Sequence, residues 1–424
     1  MTKYLIEFEK FRPEDDQNLF KAVDAFTREN FAAVEFLKPG RDKKGDFLQA
    51  QNYVGIIQTK SGDSLEILPK IHDNDNASNK EAVENSKRIL LRMLKTLKNH
   101  PFKNINIANL KSLNLPLLEI FISMFLDEVS KLIKIGIKSD YVELEDNLKF
   151  LKGKLKISEQ IRKNIVHKER FYVCYQEFSI DRAENRLIKS TLEFLYRRSK
   201  SSKNQRLIRE YLFIFDEISS SSDINADFSR LKLNRQTKHY EQALLWSKIF
   251  LQNKSFSPYR GSEIAFALLF DMNKLFESYV GNFIKKKLSG VILQHQEKYL
   301  IEEPKRDFGL KPDIFLESKF IADTKWKIVK SRDDISQADL YQLYAYGKKY
   351  NCGKLYLIYP KIDGIKQEFM KFEYEKDMQL EILYFDLEKD ENNANLLAQF
   401  IKAKFKASLL EPLSSYMKHR FALC

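Results

Sequence analysis

The sequence predicts a mixed α/β protein in three parts: a β-rich N-terminal region (1–75), a mostly helical middle region (76–250) and an α/β C-terminal region (251–424). Three observations carry this. The chain has 424 residues, 43% of them hydrophobic and 13% aromatic, enough for two or three cores and too apolar for disorder. The segments NYVGIIQT and SLEILPKI flank the turn Lys60-Ser61-Gly62-Asp63 as the two arms of a hairpin. From HYEQALLWSKIFL onward the pattern runs helix, helix, strand, strand, helix, strand.

After the hairpin, the polar stretch HDNDNASNK (72–80) reads as a linker or long turn. Ile89, Leu90, Met93, Leu94 and Leu97 then recur at helical spacing. The most apolar stretch, LNLPLLEIFISMFL (113–126), is too short to span a bilayer and is interrupted by Glu119. It predicts a buried helix with Pro116 in its first turn. Residues 136–235 mix short segments with long helices and include the polar loops SKSSKNQ and SSSSD. No internal repeat is present, and the spacing predicts a domain boundary near residue 250.

Lysine and arginine outnumber aspartate and glutamate 72 to 59, a net charge of +13. Such a balance favours a polyanionic partner such as nucleic acid, although a generally basic surface would look the same. Cys174, Cys352 and Cys424 lie far apart with no C-x-x-C spacing, which argues against a disulfide framework, a zinc site or an iron–sulfur cluster. The opening MTKYLIEFEKFRPEDD has acids where a signal peptide needs an apolar core. These features predict a soluble cytoplasmic protein without a membrane partner. The six histidines are scattered, and no Ser-His or Cys-His catalytic arrangement can be argued.

The stretch KPDIFLESKFIADTKWK (311–327) carries the chemistry. Ile314 to Leu316 predict a strand, Glu317-Ser318 a turn, and Phe320 to Trp326 the returning strand. Alternation puts Asp323 and Lys325 on one face and Thr324 on the other. The hairpin brings Asp313 beside Asp323 and Lys325. Two carboxylates on neighbouring strands offer hard oxygen ligands to Mg²⁺. The lysine then stands where it can stabilise an attacking hydroxide or developing phosphorane charge, as phosphodiester hydrolysis requires. An acid, a gap of about ten residues and a D-x-K also arise by accident in lysine-rich chains, as a solvated hairpin with alternating charges.

Context on both sides adds to the pattern. ISQADLYQLYAYGKK opens with Ser336 and Asp339 in a capping-box-like arrangement and predicts a helix. Gln342 and Tyr346 share one face of it, where an amide and a phenol can hold a phosphate, although polar edges of an ordinary amphipathic helix look alike. Upstream, LFDMNKLFESYVGNFIKKKL predicts a helix with Glu277 among Leu275, Phe276 and Val280, either a rim residue or a further metal ligand. Helix with acid, hairpin with D…D-x-K, helix with Q-x-x-x-Y, then the strand KLYLIYP: the order is more specific than any one part.

In these residues the chain resembles the PD-(D/E)XK nuclease superfamily, in the RecB-like branch that carries the Q-x-x-x-Y helix. More narrowly it resembles the McrC family, the nuclease subunits of McrBC-type 5-methylcytosine-dependent restriction systems. The resemblance also runs through NYVGIIQTKSGDSLEILPKI, LKGKLKISEQIRKN, CYQEFSIDRAENRLIKSTLEFL and HYEQALLWSKIFL. It implies a C-terminal nuclease domain with a central mixed sheet flanked by helices, and an N-terminal part that docks on a motor. It implies Asp313 and Asp323 as metal ligands, Lys325 as the catalytic lysine, and Glu277, Gln342 and Tyr346 as supporting site residues, with Glu277 a further candidate ligand. Thr324 and Trp326 depart from the commoner D-A-K-Y-K, and neither is expected to supply a ligand.

The resemblance further implies Mg²⁺ as cofactor, double-stranded DNA with modified cytosine as substrate, and an McrB-like AAA+ GTPase hexamer as partner. GTP would belong to that partner: no G-x-x-x-x-G-K-[ST] loop occurs here, and Gly40 to Gly45 lacks the following lysine. The basic turn PGRDKKGD (39–46) is either the tip inserted in the hexamer or an ordinary exposed hairpin turn. Basic residues in YRRSKSSKNQRLIREY and Lys285 to Lys287 either line a DNA path or solvate helix ends. A free-standing RecB-like DNA repair nuclease and a non-enzymatic adaptor are the alternatives. The intact D…D-x-K set speaks against the adaptor, and the extensive N-terminal half against the lone nuclease.

Overall fold

The computed structural model describes residues 2–30, 35–71, 79–98, 100–104, 115–231, 235, 237–252, 264–317, 319–361 and 369–404. The chain divides into two compact units: Met1–Pro69 with Asn76–Phe270, and Lys70–Asp75 with Asp271–Cys424.

The first unit begins with β1 (Thr2–Ile6), β2 (Lys10–Phe11), α1 (Gln17–Asn30), β3 (Leu37–Asp42), β4 (Gly45–Ala50), β5 (Tyr53–Thr59) and β6 (Ser64–Leu68). Helices α2 (Lys80–Leu94) and α3 (Leu117–Ile135) follow, then β7 (Asp140–Leu148), β8 (Lys154–Leu155), α4 (Ile157–Asn164) and β9 (Phe171–Ser179). Helices α5 (Ala183–Tyr196), α6 (Ser202–Ile214), α7 (Ile224–Arg230) and α8 (Glu241–Gln252) lead to β10 (Ile264–Asp271).

Strands β5 and β6 pair antiparallel around the turn expected from the sequence. The sheet order is β1-β6-β5-β10, with β1 parallel to β6. Gly55 in β5 has φ +141°, and a Cβ there would collide with the carbonyl of Leu268 in β10, so only glycine fits this crossing. Membership of β10 in the N-terminal sheet moves the division to about residue 270, away from the expected 250. It also makes one unit of the two expected N-terminal regions. The helical middle contains a three-stranded antiparallel sheet of order β7-β9-β8.

The apolar stretch after residue 113 forms the buried helix α3, with Pro116 at its N-cap position and not inside its first turn. Its charged member, Glu119, tolerates burial because it accepts hydrogen bonds from Ser199 Oγ (2.8 Å), the Ser201 amide (3.1 Å) and Asn204 Nδ2 (2.8 Å). Of the expected linker at 72–80, residues 72–78 lie outside the described residues, as does Cys424. Asn79 caps α2 by accepting from the Glu81 amide at 3.0 Å.

The second unit contains α9 (Met272–Lys287), β11 (Ile292–Leu293), β12 (Lys298–Ile301), β13 (Asp307–Leu310), β14 (Ile314–Leu316) and β15 (Phe320–Thr324). Then come α10 (Gln337–Tyr350), β16 (Lys354–Pro360), β17 (Phe369–Glu375), β18 (Met378–Phe385) and α11 (Ala394–Lys404). Six strands make one mixed sheet of order β11-β14-β15-β16-β18-β17, while β12 and β13 pair separately. Helix α10 links the parallel neighbours β15 and β16, as a crossover between parallel strands requires. Ile321, Leu355, Leu357 and Ile382 pack with Leu343 and Tyr346 of α10 on one face. On the other face Phe320 and Tyr356 each lie 4.8 Å from Phe400 of α11, and Phe385 packs on Phe276 of α9 at 6.3 Å. The sheet therefore has helices on both faces. Among the described residues no helix is long and apolar enough to cross a membrane.

Candidate active site

The predicted hairpin forms, with Ile314 opposite Ala322 and Leu316 opposite Phe320, but its second strand ends at Thr324, two residues short of the expected Trp326. One step further along this register Asp313 stands opposite Asp323. Asp323 is the last residue but one of β15, a central strand between β14 and β16, and is only 2% exposed. Its Oδ2 meets Lys325 Nζ at 2.5 Å. The Lys325 amide bonds the Ile358 carbonyl at 3.0 Å, which continues the ladder with β16 past the end of β15 and fixes where the lysine leaves the backbone.

Helix α10 completes the arrangement. Lys325 Nζ donates to Gln342 Oε1 at 3.0 Å, and Gln342 Nε2 donates to Tyr346 OH at 2.7 Å. Five of the six residues singled out from the sequence thus meet at the ends of β14 and β15. Glu277, on α9, is drawn to Gln294, whose Nε2 donates to its Oε1 at 2.5 Å. Gln294 adopts φ +54° and its amide donates to the Asp313 carbonyl at 2.9 Å, so one residue ties Glu277 to the strand bearing Asp313.

The charges act on one another. Burial first, then the charges of Asp323 and Glu277, hold the Asp313 carboxyl well above the ordinary aspartate range. Burial also raises Asp323, against the opposing pull of Lys325. Burial works against the Lys325 ammonium, yet Asp323, Asp313 and Asp339 together raise its pKa, so it stays charged. Tyr346 is pushed up to about 12 by burial and by Asp323, and remains a neutral phenol.

Asp313 and Asp323 lie close enough that the charge of Asp323 raises Asp313, and two such carboxylates are oxygen donors of the kind a hard divalent cation takes. Among the described residues, no group of three or more His, Cys, Asp or Glu side chains stands at metal-holding spacing.

Three features escape a reading of the sequence. Strand alternation turns Thr324 away from the site, yet its amide and its hydroxyl both donate to Asp313 Oδ2 at 2.7 Å. Asp313 precedes β14, so strand alternation does not dictate where its carboxylate points. Asp339, expected in a capping box, instead places its carboxylate 2.7 Å from Lys327 Nζ. The box forms upstream, where the Ser331 amide and hydroxyl donate to Asp334 Oδ2 at 2.8 and 3.0 Å. Gln294 carries no sequence signal beyond its place near the strand.

A family model described as McrBC 5-methylcytosine restriction system component matches residues 48–360. No curated protein matches the chain. Among solved structures, the refined half-complex from the tetradecameric assembly of Thermococcus gammatolerans McrB AAA+ hexamers with bound McrC contains a similar chain. It gives a TM-score of 0.68 at 21% identity and covers 95% of this chain and 99% of that one, which shows a common fold. The cryo-EM structure of the Thermococcus gammatolerans McrBC complex matches with a TM-score of 0.49 at 22% identity, over 76% of this chain and 92% of that one. The family match spans well over half of the 424 residues, and the chain belongs to the McrBC 5-methylcytosine restriction system component family.

Proposed function

We propose that the chain is the DNA-cutting subunit of a modification-dependent restriction complex. It hydrolyses phosphodiester bonds in double-stranded DNA with modified cytosine, at a PD-(D/E)XK-type site that uses Mg²⁺. It works with an McrB-like AAA+ GTPase hexamer, which supplies GTP hydrolysis. The observation that carries this reading is the convergence of Asp313, Asp323 and Lys325 at the strand ends, with Gln342 on the lysine.

Asp313 and Asp323 are the residues that would hold the cation, with Glu277 a further candidate donor. When bound, Mg²⁺ supplies Lewis acidity toward the phosphate and activates water. Lys325 keeps its positive charge beside these carboxylates and stabilises the negative charge that grows at the phosphate. Gln342 and Tyr346 orient its ammonium. The first unit is assigned to motor docking and the residues after Asp271 to cutting. The similar Thermococcus gammatolerans chain is bound to McrB AAA+ hexamers, which supports the choice of partner.

Plasmid cleavage in Mg²⁺ tests this, with methylated and unmethylated DNA, for the chain alone and with an McrB-type AAA+ protein and GTP. Cleavage of methylated DNA in the complete mixture, abolished by Asp323→Ala, is the expected result. Cleavage by the chain alone would favour the free-standing repair nuclease. Wild-type cutting by Asp323→Ala would overturn the site.

A further inference from the structure

We infer that Asp339 and Lys327 form a clasp that seats the first turn of α10 on the end of β15 and so positions Gln342 on Lys325. This deepens the nuclease reading and rests on it. Beyond Thr324 the chain turns tightly: the Lys327 amide donates to the Lys325 carbonyl at 3.0 Å. Trp326, 4% exposed and 5.5 Å from Phe276, anchors that turn in the core. The turn is what allows both lysines, two residues apart, to reach α10.

Each lysine finds a partner there. Lys325 takes Gln342 at 3.0 Å and Lys327 takes Asp339 at 2.7 Å. Asp339 and Gln342 are three residues apart and therefore neighbours on one face of the helix. The two contacts are successive rungs between the strand end and the helix. Asp339 is buried, so its carboxylate has little water to fall back on. Ser336, at the N-cap, makes no side-chain capping bond, and the ion pair is a polar tie between this turn and the strand end, beside the packing of Leu340 on the core. A helix start released from the strand would let Gln342 drift, and a displacement near 1 Å is enough to cost a well-oriented contact its effect. Lys327 is a positioning residue acting through Gln342, and Asp339 adds to that role the negative charge it places near Lys325.

The test combines Asp339→Asn and Lys327→Met with Gln342→Ala, in the mixture in which the wild-type chain cuts DNA. Each single clasp variant is expected to lower kcat by roughly 10- to 100-fold with little change in KM for DNA. On the Gln342→Ala background Lys327→Met is expected to add no further loss. Independent, multiplying losses would overturn the clasp, because a general structural defect behaves that way. Hydrogen–deuterium exchange gives a readout that needs no cutting. Exchange over 337–346 rises in both clasp variants while β16 stays protected; unchanged exchange overturns the clasp. Loss of all cutting in Lys325→Met, with clasp variants at full rate, would sink the clasp and leave the nuclease reading standing. A wild-type chain inert toward DNA in every mixture would sink the nuclease reading, and with it the role given to the clasp.

Discussion

Asp313 lies one residue before β14, and the strand rule that sorts Asp323 and Lys325 from Thr324 does not govern it. For that reason the D-T-K triplet is readable as chemistry while the part played by its middle residue is not. The Thr324 hydroxyl and amide both satisfy Asp313 Oδ2, which fixes the carboxylate without cancelling its burial. The raised pKa of Asp313 has a consequence for stability. The folded chain favours the protonated form, so this group favours folding at pH below the ordinary aspartate range, and that contribution fades as pH rises through its folded value. Asp313→Asn mimics the neutral form and keeps an oxygen for Thr324. The variant is expected to melt a few degrees above the wild type at pH 8, on the scale of roughly 2–4 °C per kcal/mol. The gap should close as the pH falls toward about 4. A melting series by circular dichroism checks it; a variant less stable at pH 8 would contradict the sign. The same substitution should abolish cutting, as expected where a strained site is built for function.

At the scale of elements, periodic segments are legible and buried continuous ones are not. The β5–β6 hairpin, α9 and α10 all follow their patterns. The helix expected over LFDMNKLFESYVGNFIKKKL begins three residues late, because Leu269 to Asp271 end the strand β10 and an apolar run looks the same in a buried strand and a buried helix. The available signal is Asp271, which caps α9 by accepting from the Asn273 amide at 2.9 Å. A buried ion pair, invisible in the sequence, joins three other elements. Glu66 of β6 accepts from the Leu117 amide at the start of α3 at 2.6 Å and meets Lys87 of α2 at 3.2 Å. Lys87 also donates to the Leu115 carbonyl at 2.9 Å and lies over the Tyr4 ring at 4.5 Å. Burial raises Glu66 and lowers Lys87, so desolvation outweighs the attraction in both. Lys87→Met alone is expected to destabilise by about 3–5 kcal/mol, since it leaves the buried Glu66 without its cation. Glu66→Gln with Lys87→Met should recover most of that loss in urea denaturation. A double variant as unstable as the single would show that the pair is net stabilising.

At the scale of the whole chain, the three regions expected from the sequence become two units because β10 pairs back to β5, about two hundred residues earlier. Local pattern carries no information about such a pairing, and this is why it puts the boundary at 250, before the strand instead of after it. The consequence can be measured on fragments. A fragment of residues 1–250 lacks β10 and leaves the neighbouring edge of β5 bare. It also loses Ala267 and Leu269 from the core of α1 and the N-terminal strands, and Phe266 and Phe270 from their ring contacts with Phe250 and Phe102 at 5.8 and 5.6 Å. Each large buried side chain lost costs roughly 2–5 kcal/mol, and a domain has only about 5–15 kcal/mol in total. Residues 1–250 are therefore expected to lack a cooperative thermal transition and a near-ultraviolet signal, whereas residues 1–271 melt cooperatively. Equal melting of the two fragments would refute the role given to β10. The longer fragment then separates the two proposed activities. Added to an McrB-type AAA+ protein, residues 1–271 should raise GTP hydrolysis and cut no DNA, because Asp313, Asp323 and Lys325 are absent from it. Stimulation that required residues beyond 271 would move the docking surface out of the first unit.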